Sequence, residues 1–374
     1  MRVAFFCDSY KPYLSGVTNS IELLATGLRE LGHRVFIFAP RYPKHVDADP
    51  DIIRFPSLPT GYPRFRLTLP YVNRVPEVDL IHSHSPFQTG LLARYLANKR
   101  KLPFIYTFHT LFTRYVHYAR YIPEPLSKMT LVGYARRFCH RCDLIITPSK
   151  MAKRVLRTWK IYNKTAVVPT GVDLDQYRKI KPGARDGLRK KYKIPKEAKV
   201  LLYVGRLSKE KNINFLLRAF KNLSYPSIYL VLVGGGPLEE EIKGLKIKNV
   251  VLTGEINYPE VLSYYYLGDL FVFASQTETQ GLVLAEAKAA GLPVVALFAG
   301  GLVDTVRSGL DGYLTQRSLE AFSTHISRLL ADPDLLTKMG KSAKEDAHER
   351  FSSSVMAKTT ENLYNELIAS KSLS

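Results

Sequence analysis

The chain of 374 residues is too long for one ordinary hydrophobic core, and its 46% hydrophobic content is ample for two domains of roughly 150 to 200 residues. It contains no run of about 18 uncharged apolar residues, and Asp8 interrupts the first apolar stretch, so neither a membrane-spanning helix nor a signal peptide is predicted. We therefore expect a soluble cytoplasmic protein. The three cysteines, two of them in a lone C-x-x-C at Cys139 and Cys142, are expected to be reduced thiols, because a zinc site needs about four ligands.

The net charge of +21 is concentrated in the first half of the chain. Residues 1–168 carry 26 Lys and Arg against 10 Asp and Glu, whereas the remainder carries 28 against 23. The most basic stretch, from Arg94 to Lys164, also contains these aromatic residues: Tyr95, Tyr115, Tyr118, Tyr121, Tyr134, Phe138, Trp159 and Tyr162. Basic residues mixed with aromatics suit an anionic membrane surface or a nucleic acid, and a basic face that is only solvated is the alternative.

Short apolar or β-branched runs alternate with amphipathic segments along the chain. The first set reads "VAFFC", "RVFIFA", "DLIHSH", "PFIYTF" and "DLIITPS"; the second reads "KVLLYVG", "IYLVLVG", "NVVLTG", "DLFVFAS" and "PVVAL". Strand and helix alternating at this spacing predict parallel sheets with helices on both faces. Because the pattern occurs twice, the sequence predicts an α/β protein with two doubly wound, Rossmann-like domains.

A polar, basic segment separates the two sets of strands. It contains three prolines, Pro169, Pro182 and Pro195. The hinge is therefore placed near Pro169, giving predicted domains of residues 1–168 and 169–351, and the second sheet is expected to begin near Lys199.

The end of the chain predicts two helices. The first runs from Asp332 to about His348, and Ser352 to Ser354 cap the second. Apolar residues at helical spacing are assigned to the last helix: Phe351, Val355, Leu363, Leu367 and Ile368. Such a stripe must pack on one of the two domains.

Turns that lead from a strand into a helix are the places to look for a ligand, because parallel sheets bind ligands beyond the carboxyl ends of their strands. In the first such turn, Gly16 either allows the backbone to approach an anion or serves only as a turn residue. In the second, "LVGGGPLEEEI", the acids Glu239 to Glu241 fill the first helical turn and would repel a phosphate. That turn is predicted to be capped by its own side chains.

The third turn, "SQTETQGLVLAEAKAAG", favours phosphate. Gly281 is followed by Leu282 and Val283, so no side-chain anion competes for the N–H groups of the first helical turn. Glu278 before this helix start and Glu286 within the helix suit neutral sugar hydroxyls on either side of a phosphate, which describes a nucleotide-sugar. The alternative is a solvated Glu278 and a Glu286 paired with Lys288.

Two basic residues are placed to neutralise that phosphate. In "YVGRLSKEKN", Arg206 directly follows a strand and Lys211 lies at the next helix start. Arginine recognises oxyanions through a planar fork and lysine supplies a point charge. The D-x-D patterns of the chain lie in predicted loops or helix caps, so no metal site is predicted.

These motifs, taken together and in order, resemble the family-4 retaining glycosyltransferases, which have the GT-B fold. The motifs are "VGRLSKEKN", the Glu278–x7–Glu286 spacing, "PTGVDLDQY" and "GGLVDTVRSGLDGYL", and the similarity covers nearly the whole chain. The resemblance implies that a C-terminal helix, about residues 352–374, crosses back to the first domain. It also implies that the first domain binds the acceptor and the second binds the nucleotide-sugar.

The resemblance assigns roles to individual residues. Arg206 and Lys211 would hold the donor diphosphate, and Glu278 would face the transferred sugar. The remaining donor-binding positions are Gly281, Leu282 and Val283 for backbone N–H groups, Glu286 for the ribose, Glu255 and Ile256 beside the base, and Gly16 near the reaction centre.

His109, in "YTFHTLFTRYVHYARYIPEP", matches a family histidine that contacts the donor sugar; otherwise it is a structural residue beyond a buried strand. Residues 109–123 resemble the members that glycosylate diacylglycerol at a membrane surface. Thr113 and Arg114 depart from the acidic pair expected there, and this weakens the acceptor assignment. Lys288 and Asp304 replace a usual Met and Glu.

The function implied is a retaining, metal-independent hexosyltransferase with His109, Arg206, Lys211 and Glu278 as its catalytic residues. It would move a hexose, with UDP-glucose the expected donor, to diacylglycerol or another membrane lipid. The basic first domain would dock on the anionic inner face of the cell membrane. A soluble sugar or phosphosugar acceptor, a GT-B epimerase and a phosphorylase are the alternatives. A polyanion-binding protein leaves the paired glutamates unexplained, and no nucleic-acid partner is expected.

Overall fold

The computed structural model describes residues 1–13, 15–60, 66–71, 75–110 and 124–372, without the side chains of 124–127 and 372. Most of the tyrosine-rich segment 109–123, including Thr113 and Arg114, lies outside the described residues. The chain divides into two compact units. Unit 1 comprises Met1–Gly171 and Ser353–Ser374, and unit 2 comprises Val172–Ser352.

Unit 1 contains a seven-stranded parallel sheet in the order β3-β2-β1-β6-β7-β8-β9 and a short antiparallel pair, β4 and β5. Its strands are β1 (Arg2–Phe6), β2 (Arg34–Pro40), β3 (Ile52–Phe55), β4 (Ser57–Pro59), β5 (Arg66–Thr68), β6 (Leu80–Ser83), β7 (Phe104–Thr107), β8 (Leu144–Thr147) and β9 (Thr165–Val167). Its helices are α1 (Gly16–Glu30), α2 (Gln88–Arg100), α3 (Glu124–Cys139), α4 (Lys150–Thr158) and α14 (Ser353–Ser372).

Alternate residues of the central strands enter two separate cores, one on each face of the sheet. Ala4 and Phe6 of β1 join the core that contains residues of α2, α3 and α4. Val3 and Phe5 join the opposite core, with residues of α1 and α14. Both faces are therefore buried, which explains why these strands are apolar throughout.

The last helix, α14, belongs to unit 1 and packs on α1, so the prediction that it returns to the first domain is confirmed. The approach is close: a Cβ at Gly27 would lie 2.6 Å from the Cβ of Ala357. The predicted stripe was partly wrong, because Phe351 ends α13 in unit 2 and Val355 is 37% exposed. The buried face of α14 instead contains Met356, Ala357, Thr360, Tyr364 and Leu367.

Unit 2 contains a six-stranded parallel sheet in the order β12-β11-β10-β13-β14-β15. Its strands are β10 (Lys199–Val204), β11 (Ile228–Val233), β12 (Val250–Leu252), β13 (Leu270–Phe273), β14 (Val294–Leu297) and β15 (Gly312–Thr315). Its helices are α5 (Leu174–Arg178), α6 (Ala184–Lys191), α7 (Ile213–Lys221), α8 (Glu239–Gly244), α9 (Val261–Tyr265), α10 (Leu282–Ala289), α11 (Leu302–Thr305), α12 (Leu319–Ala331) and α13 (Pro333–Phe351). The second sheet begins at Lys199, as predicted.

Each sheet reverses its strand order at one point, between β1 and β6 in unit 1 and between β10 and β13 in unit 2. At such a reversal, the loops that follow the two adjacent strands run in opposite directions. A crevice forms between these loops, and doubly wound sheets bind their ligands there. The prediction of two doubly wound, Rossmann-like domains is confirmed. The reversals also identify where in each unit a site should be sought.

Candidate active site

The helix start predicted to attract phosphate lies at the strand reversal of unit 2. Gly281 precedes α10 with φ +85°, and a Cβ there would lie 2.5 Å from Cδ2 of Leu302, so the turn requires glycine. Among the described residues no side chain caps α10, and its first turn carries no acid. The N–H groups at Leu282 and Val283 and the positive end of the helix dipole are therefore available to an anion.

Glu278, in the loop after β13, forms an ion pair with Lys211, in the loop after β10. Sequence analysis assigned the two residues to different parts of the ligand, and the structure places their side chains in contact. The loop of Glu278 packs tightly on the turn before α11: the N–H of Gly301 donates to the carbonyl of Glu278 at 2.9 Å. A Cβ at Gly301 would lie 2.0 Å from the carbonyl oxygen of Thr279, so this position also requires glycine.

The loop after β10 carries the second predicted cation. Arg206 is exposed, and its carbonyl accepts a hydrogen bond from the Tyr203 hydroxyl at 3.0 Å. Ser208, which sequence analysis did not single out, has a buried hydroxyl with no hydrogen-bond partner among the described residues. Ser208 lies between two cations in a loop at the strand reversal, so its hydroxyl is suited to bind a phosphate oxygen. Its position inside the "GRLSKEK" motif could have identified it from the sequence.

Glu286 lies on α10 and is half-buried. The Tyr265 hydroxyl donates to its Oε2 at 2.6 Å, and burial raises the pKa of its carboxyl although this hydrogen bond lowers it. The alternative pairing with Lys288 is wrong. Lys288 is fully buried on the same helix and donates to Asp311 at 2.9 Å and to Asp346. Glu286 is therefore not neutralised by Lys288 and retains a carboxylate that can accept sugar hydroxyls.

The remaining positions that were predicted to bind the donor lie in the turn after β12. Glu255 is exposed, and Ile256 packs on the core of unit 2. The preceding Gly254 accepts a hydrogen bond from the N–H of Gly234 at 3.1 Å, which joins this turn to the loop after β11. In the acid-filled turn, Glu239 pairs with Lys243 at 3.1 Å. In the part of the chain that the structure describes, the residue before α8 makes no side-chain cap, and Glu239, Glu240 and Glu241 fill the first helical turn, as the sequence predicted.

In unit 1, Gly16 begins α1, and the Ser15 hydroxyl caps this helix by accepting from the N–H of Thr18 at 3.1 Å. Among the described residues, no atom would lie within 4 Å of a Cβ at Gly16, so neither their packing nor a positive φ requires glycine there.

A cavity of about 130 Å³ lies at the strand reversal of unit 1. Residues from three strand ends and from α1 line it, among them Asp8, Val17, His84, Ser85, Tyr106 and His109. His109 Nε2 lies 3.0 Å from His84 Nδ1. Burial lowers the pKa of His109 to about 4 and that of His84 well below its usual value, so both rings are neutral at pH 7.

Of the residues that line this cavity, His109 was predicted from the sequence as a site residue, whereas Asp8 and His84 were not. Asp8 accepts hydrogen bonds from the Ser85 hydroxyl at 2.5 Å and from the N–H of Thr89 at 3.0 Å, and burial raises its pKa. The signal was a polar residue directly after each of two buried runs, in "FFCDSY" and "DLIHSH".

Within the described ranges, no group of three or more His, Cys, Asp and Glu side chains is arranged to hold a metal ion. The described helices also include none that is both long and apolar enough to cross a bilayer.

Comparison with known proteins identifies the family. A family model described as Glycosyltransferase Family 4 matches residues 14–176, and one described as Glycosyl transferases group 1 matches residues 184–346. An alpha-monoglucosyldiacylglycerol synthase of Streptococcus pneumoniae is 35% identical over 355 residues, covering 90% of this chain and 80% of the relative. One of Acholeplasma laidlawii is 31% identical over 392 residues, covering 98% of both.

Among solved structures, Anabaena HepE in complex with UDP superposes with a TM-score of 0.78 at 19% identity, covering 98% of this chain and all of that one. This similarity and the two doubly wound sheets show the GT-B fold, and the family models and the two relatives define the class as glycosyltransferases. The chain belongs to glycosyltransferase family 4.

Proposed function

We propose that this glycosyltransferase moves glucose from UDP-glucose to the hydroxyl of diacylglycerol, with retention of configuration and without a metal ion. The observation that carries the proposal is the arrangement at the strand reversal of unit 2. There Arg206, the Lys211–Glu278 pair and the uncapped start of α10 follow neighbouring strands. The acceptor and sugar are supported by the two relatives named alpha-monoglucosyldiacylglycerol synthase.

In this proposal unit 2 binds the donor. Arg206, Lys211 and the N–H groups from Gly281 to Val283 hold the diphosphate, and Glu286 accepts from the ribose hydroxyls. The turn at Glu255 and Ile256 lies beside the base, and Glu278 faces the transferred glucose. Two cations and three backbone N–H groups around one diphosphate supply the charge stabilisation that a divalent ion gives in other transferases.

Retention follows if the acceptor attacks from the face that the diphosphate leaves. The bond from the anomeric carbon to the phosphate oxygen breaks, the acceptor oxygen bonds to the same face, and the departing phosphate oxygen takes the acceptor's proton. Arg206 and Lys211 stabilise the charge that develops on the diphosphate. His109 and Gly16, in unit 1, are assigned to the transferred sugar and the reaction centre.

Unit 1 is proposed to bind the acceptor and a membrane surface. Its basic face comprises exposed residues of α2, α3 and the end of α4: Tyr95, Arg136, Arg137, Arg157, Lys160 and Tyr162. These elements adjoin, because Arg94 donates to the carbonyl of Arg137 at 3.4 Å and Arg136 donates to that of Trp159 at 2.5 Å. Exposed basic residues around exposed tyrosines suit the anionic inner face of a cell membrane, where the protein would bind peripherally.

A transfer assay with diacylglycerol in anionic vesicles tests the proposal, with UDP-glucose, GDP-mannose, ADP-glucose and UDP-N-acetylglucosamine offered separately. We expect α-glucosyldiacylglycerol from UDP-glucose, unchanged by EDTA, with the anomer assigned by NMR. Arg206→Ala should slow transfer by orders of magnitude without unfolding the protein, whereas the exposed Lys209→Ala is the matched control from the same loop. Transfer only to soluble sugars would overturn the lipid acceptor, and a β product would overturn retention. Near-normal turnover by Arg206→Ala would overturn the role of Arg206 in stabilising the diphosphate.

A further inference from the structure

Two histidines at the end of β6 differ in how completely they are hydrogen-bonded. His82 uses both ring nitrogens: Nδ1 contacts the Tyr364 hydroxyl at 2.5 Å and Nε2 contacts the Thr107 hydroxyl at 2.7 Å. His84 uses Nδ1, which lies 3.0 Å from His109 Nε2, while its Nε2 has no partner within the described part of the chain. His84 is 95% buried and lines the cavity of unit 1. The first histidine is a satisfied structural residue, and the second is not.

The neutral state of both rings restricts where the protons can lie. Each ring carries one proton, so the bond between His84 and His109 has one donor. If His109 were the donor, His84 would carry its proton on Nε2 as a buried, unbonded N–H, which is costly and rare. With His84 Nδ1–H donating, Nε2 keeps a lone pair that is ready to accept a hydrogen bond, and His109 carries its proton on Nδ1.

We propose that the cavity of unit 1 is a hydroxyl-binding site in which Nε2 of His84 accepts a hydrogen bond from a substrate hydroxyl while Nδ1–H of His84 orients His109. The inference rests on the proposed function for the identity of the substrate. The hydroxyl belongs to the transferred sugar or to the acceptor, and both sources present the same O–H donor. A cavity of about 130 Å³ bordered by Asp8, Ser85 and His109 has the polar lining that such a group requires.

Three substitutions of His84 distinguish the roles of its two ring nitrogens. His84→Gln places an amide near Nε2, His84→Asn places one near Nδ1, and His84→Phe keeps the ring but removes both contacts. We expect kcat/KM with UDP-glucose and diacylglycerol to fall about tenfold in His84→Asn and further in His84→Phe, with His84→Gln the least impaired. Thermal melting of each variant identifies any loss that reflects unfolding. Equal losses in all three variants would overturn the proposal.

Deoxygenated donors identify the source of the hydroxyl. With the 2-, 3-, 4- and 6-deoxy forms of UDP-glucose, the ratio of wild-type to His84→Asn activity should collapse toward one for the single form that lacks the bound hydroxyl. If the acceptor supplies it, the ratio persists with every donor, KM for diacylglycerol rises, and hydrolysis of UDP-glucose in the absence of acceptor is unaffected. A ratio that persists with every donor, together with an unchanged KM for diacylglycerol, contradicts hydroxyl binding.

A measurement without turnover separates this inference from the proposed function. In protein labelled with 15N-histidine, the two nitrogen shifts of His84, assigned through their loss in His84→Phe, report the tautomer and any bond to Nε2. We expect a protonated Nδ1, and a shift of Nε2 when glucose or glycerol is added. A protein that shows this shift but transfers nothing from UDP-glucose keeps the site and refutes the function. A protonated Nε2, or no shift with either compound, refutes the site.

Discussion

Lys211 and Glu278 form an ion pair that joins the loops after β10 and β13 of unit 2. Their side chains are 23% and 17% exposed, so the pair is within reach of a ligand. A diphosphate would compete with Glu278 for the Lys211 ammonium, and the released carboxylate could then accept from sugar hydroxyls. The ion pair thus compensates the charge of the Lys211 ammonium.

This competition predicts opposite effects of the two substitutions on UDP binding. Lys211→Ala should weaken the binding of UDP about tenfold or more, because a charge-assisted hydrogen bond to phosphate is lost. Glu278→Gln should strengthen it severalfold, because the lysine no longer has a competing anion, and should lower kcat for transfer. Isothermal titration of UDP checks both, with Lys209→Ala as the control. Weaker UDP binding by Glu278→Gln would contradict competition.

The glycine at the start of α10 gives a prediction on stability and binding together. Gly281→Ala puts a Cβ 2.5 Å from Leu302 at a positive φ, so we expect a loss of about 2 to 4 kcal/mol in the free energy of unfolding and weaker UDP binding. Gly187→Ala is the matched control, since Gly187 is exposed within α6 with no atom within 4 Å of a Cβ. It should raise stability by about 0.5 to 1 kcal/mol. Chemical denaturation measures both, and similar effects of the two would refute the steric argument.

The position of the candidate donor site in the fold could be predicted largely because its residues lie in short motifs at strand ends. Arg206 follows β10, and Glu278 and Gly281 follow β13, so the sequence order of strand, loop and helix already placed them on one edge of a sheet. Their actual contacts could not be predicted. The Lys211–Glu278 pair depends on β10 and β13 being neighbours, which is a property of the strand order and not of either motif.

The cavity of unit 1 was mostly missed for the same reason. Asp8, His84 and His109 each follow a different strand, β1, β6 or β7, and they meet only because those strands are adjacent. The misassigned stripe on α14 has another cause. Phe351 and Val355 fit a helical period, but the helix boundary at Ser352 and Ser353 places Phe351 on a different helix, and periodicity does not locate such a boundary.

The buried charges around Lys288 were also missed, because its partners Asp311 and Asp346 are 23 and 58 residues away in sequence. Arg307 contacts both carboxylates at 3.0 Å, and Arg350 pairs with Asp346 at 2.6 Å. Three cations thus surround two acids. Lys288→Met would leave two arginines for two carboxylates, whereas Asp346→Asn would leave Lys288 and Arg307 on Asp311 alone and Arg350 without its carboxylate partner.

We therefore expect Asp346→Asn to cost about 3 to 5 kcal/mol in the free energy of unfolding and Lys288→Met distinctly less. Burial opposes ionisation of Asp346, but the hydrogen bonds from Arg350 and the charge of Lys288 lower the pKa of its carboxyl. A carboxyl whose folded-state pKa is lowered contributes stability above its unfolded pKa of about 4 and loses it as the pH falls below that value. The difference between wild type and Asp346→Asn should be full at pH 7 and shrink below about pH 4. A constant difference from pH 7 to pH 3 in denaturation curves would contradict this assignment.

The basic face of unit 1 gives the last prediction. Arg136, Arg137, Arg157 and Lys160 are exposed beside Tyr162, which is 67% exposed, and each is expected to contribute about 1 kcal/mol near an anionic surface at low screening. Replacing all four by serine should reduce sedimentation with anionic vesicles at least tenfold, and raised salt should reduce it in the wild type.

The control removes four positive charges from unit 2, at the exposed residues Lys181, Lys190, Lys191 and Lys193. That quartet should leave vesicle binding nearly unchanged if docking belongs to one face of unit 1. Equal losses in the two quartets would mean that binding follows net charge alone. Equal binding of wild type to anionic and uncharged vesicles would refute electrostatic docking by unit 1. The acceptor would then have to reach unit 1 by another route.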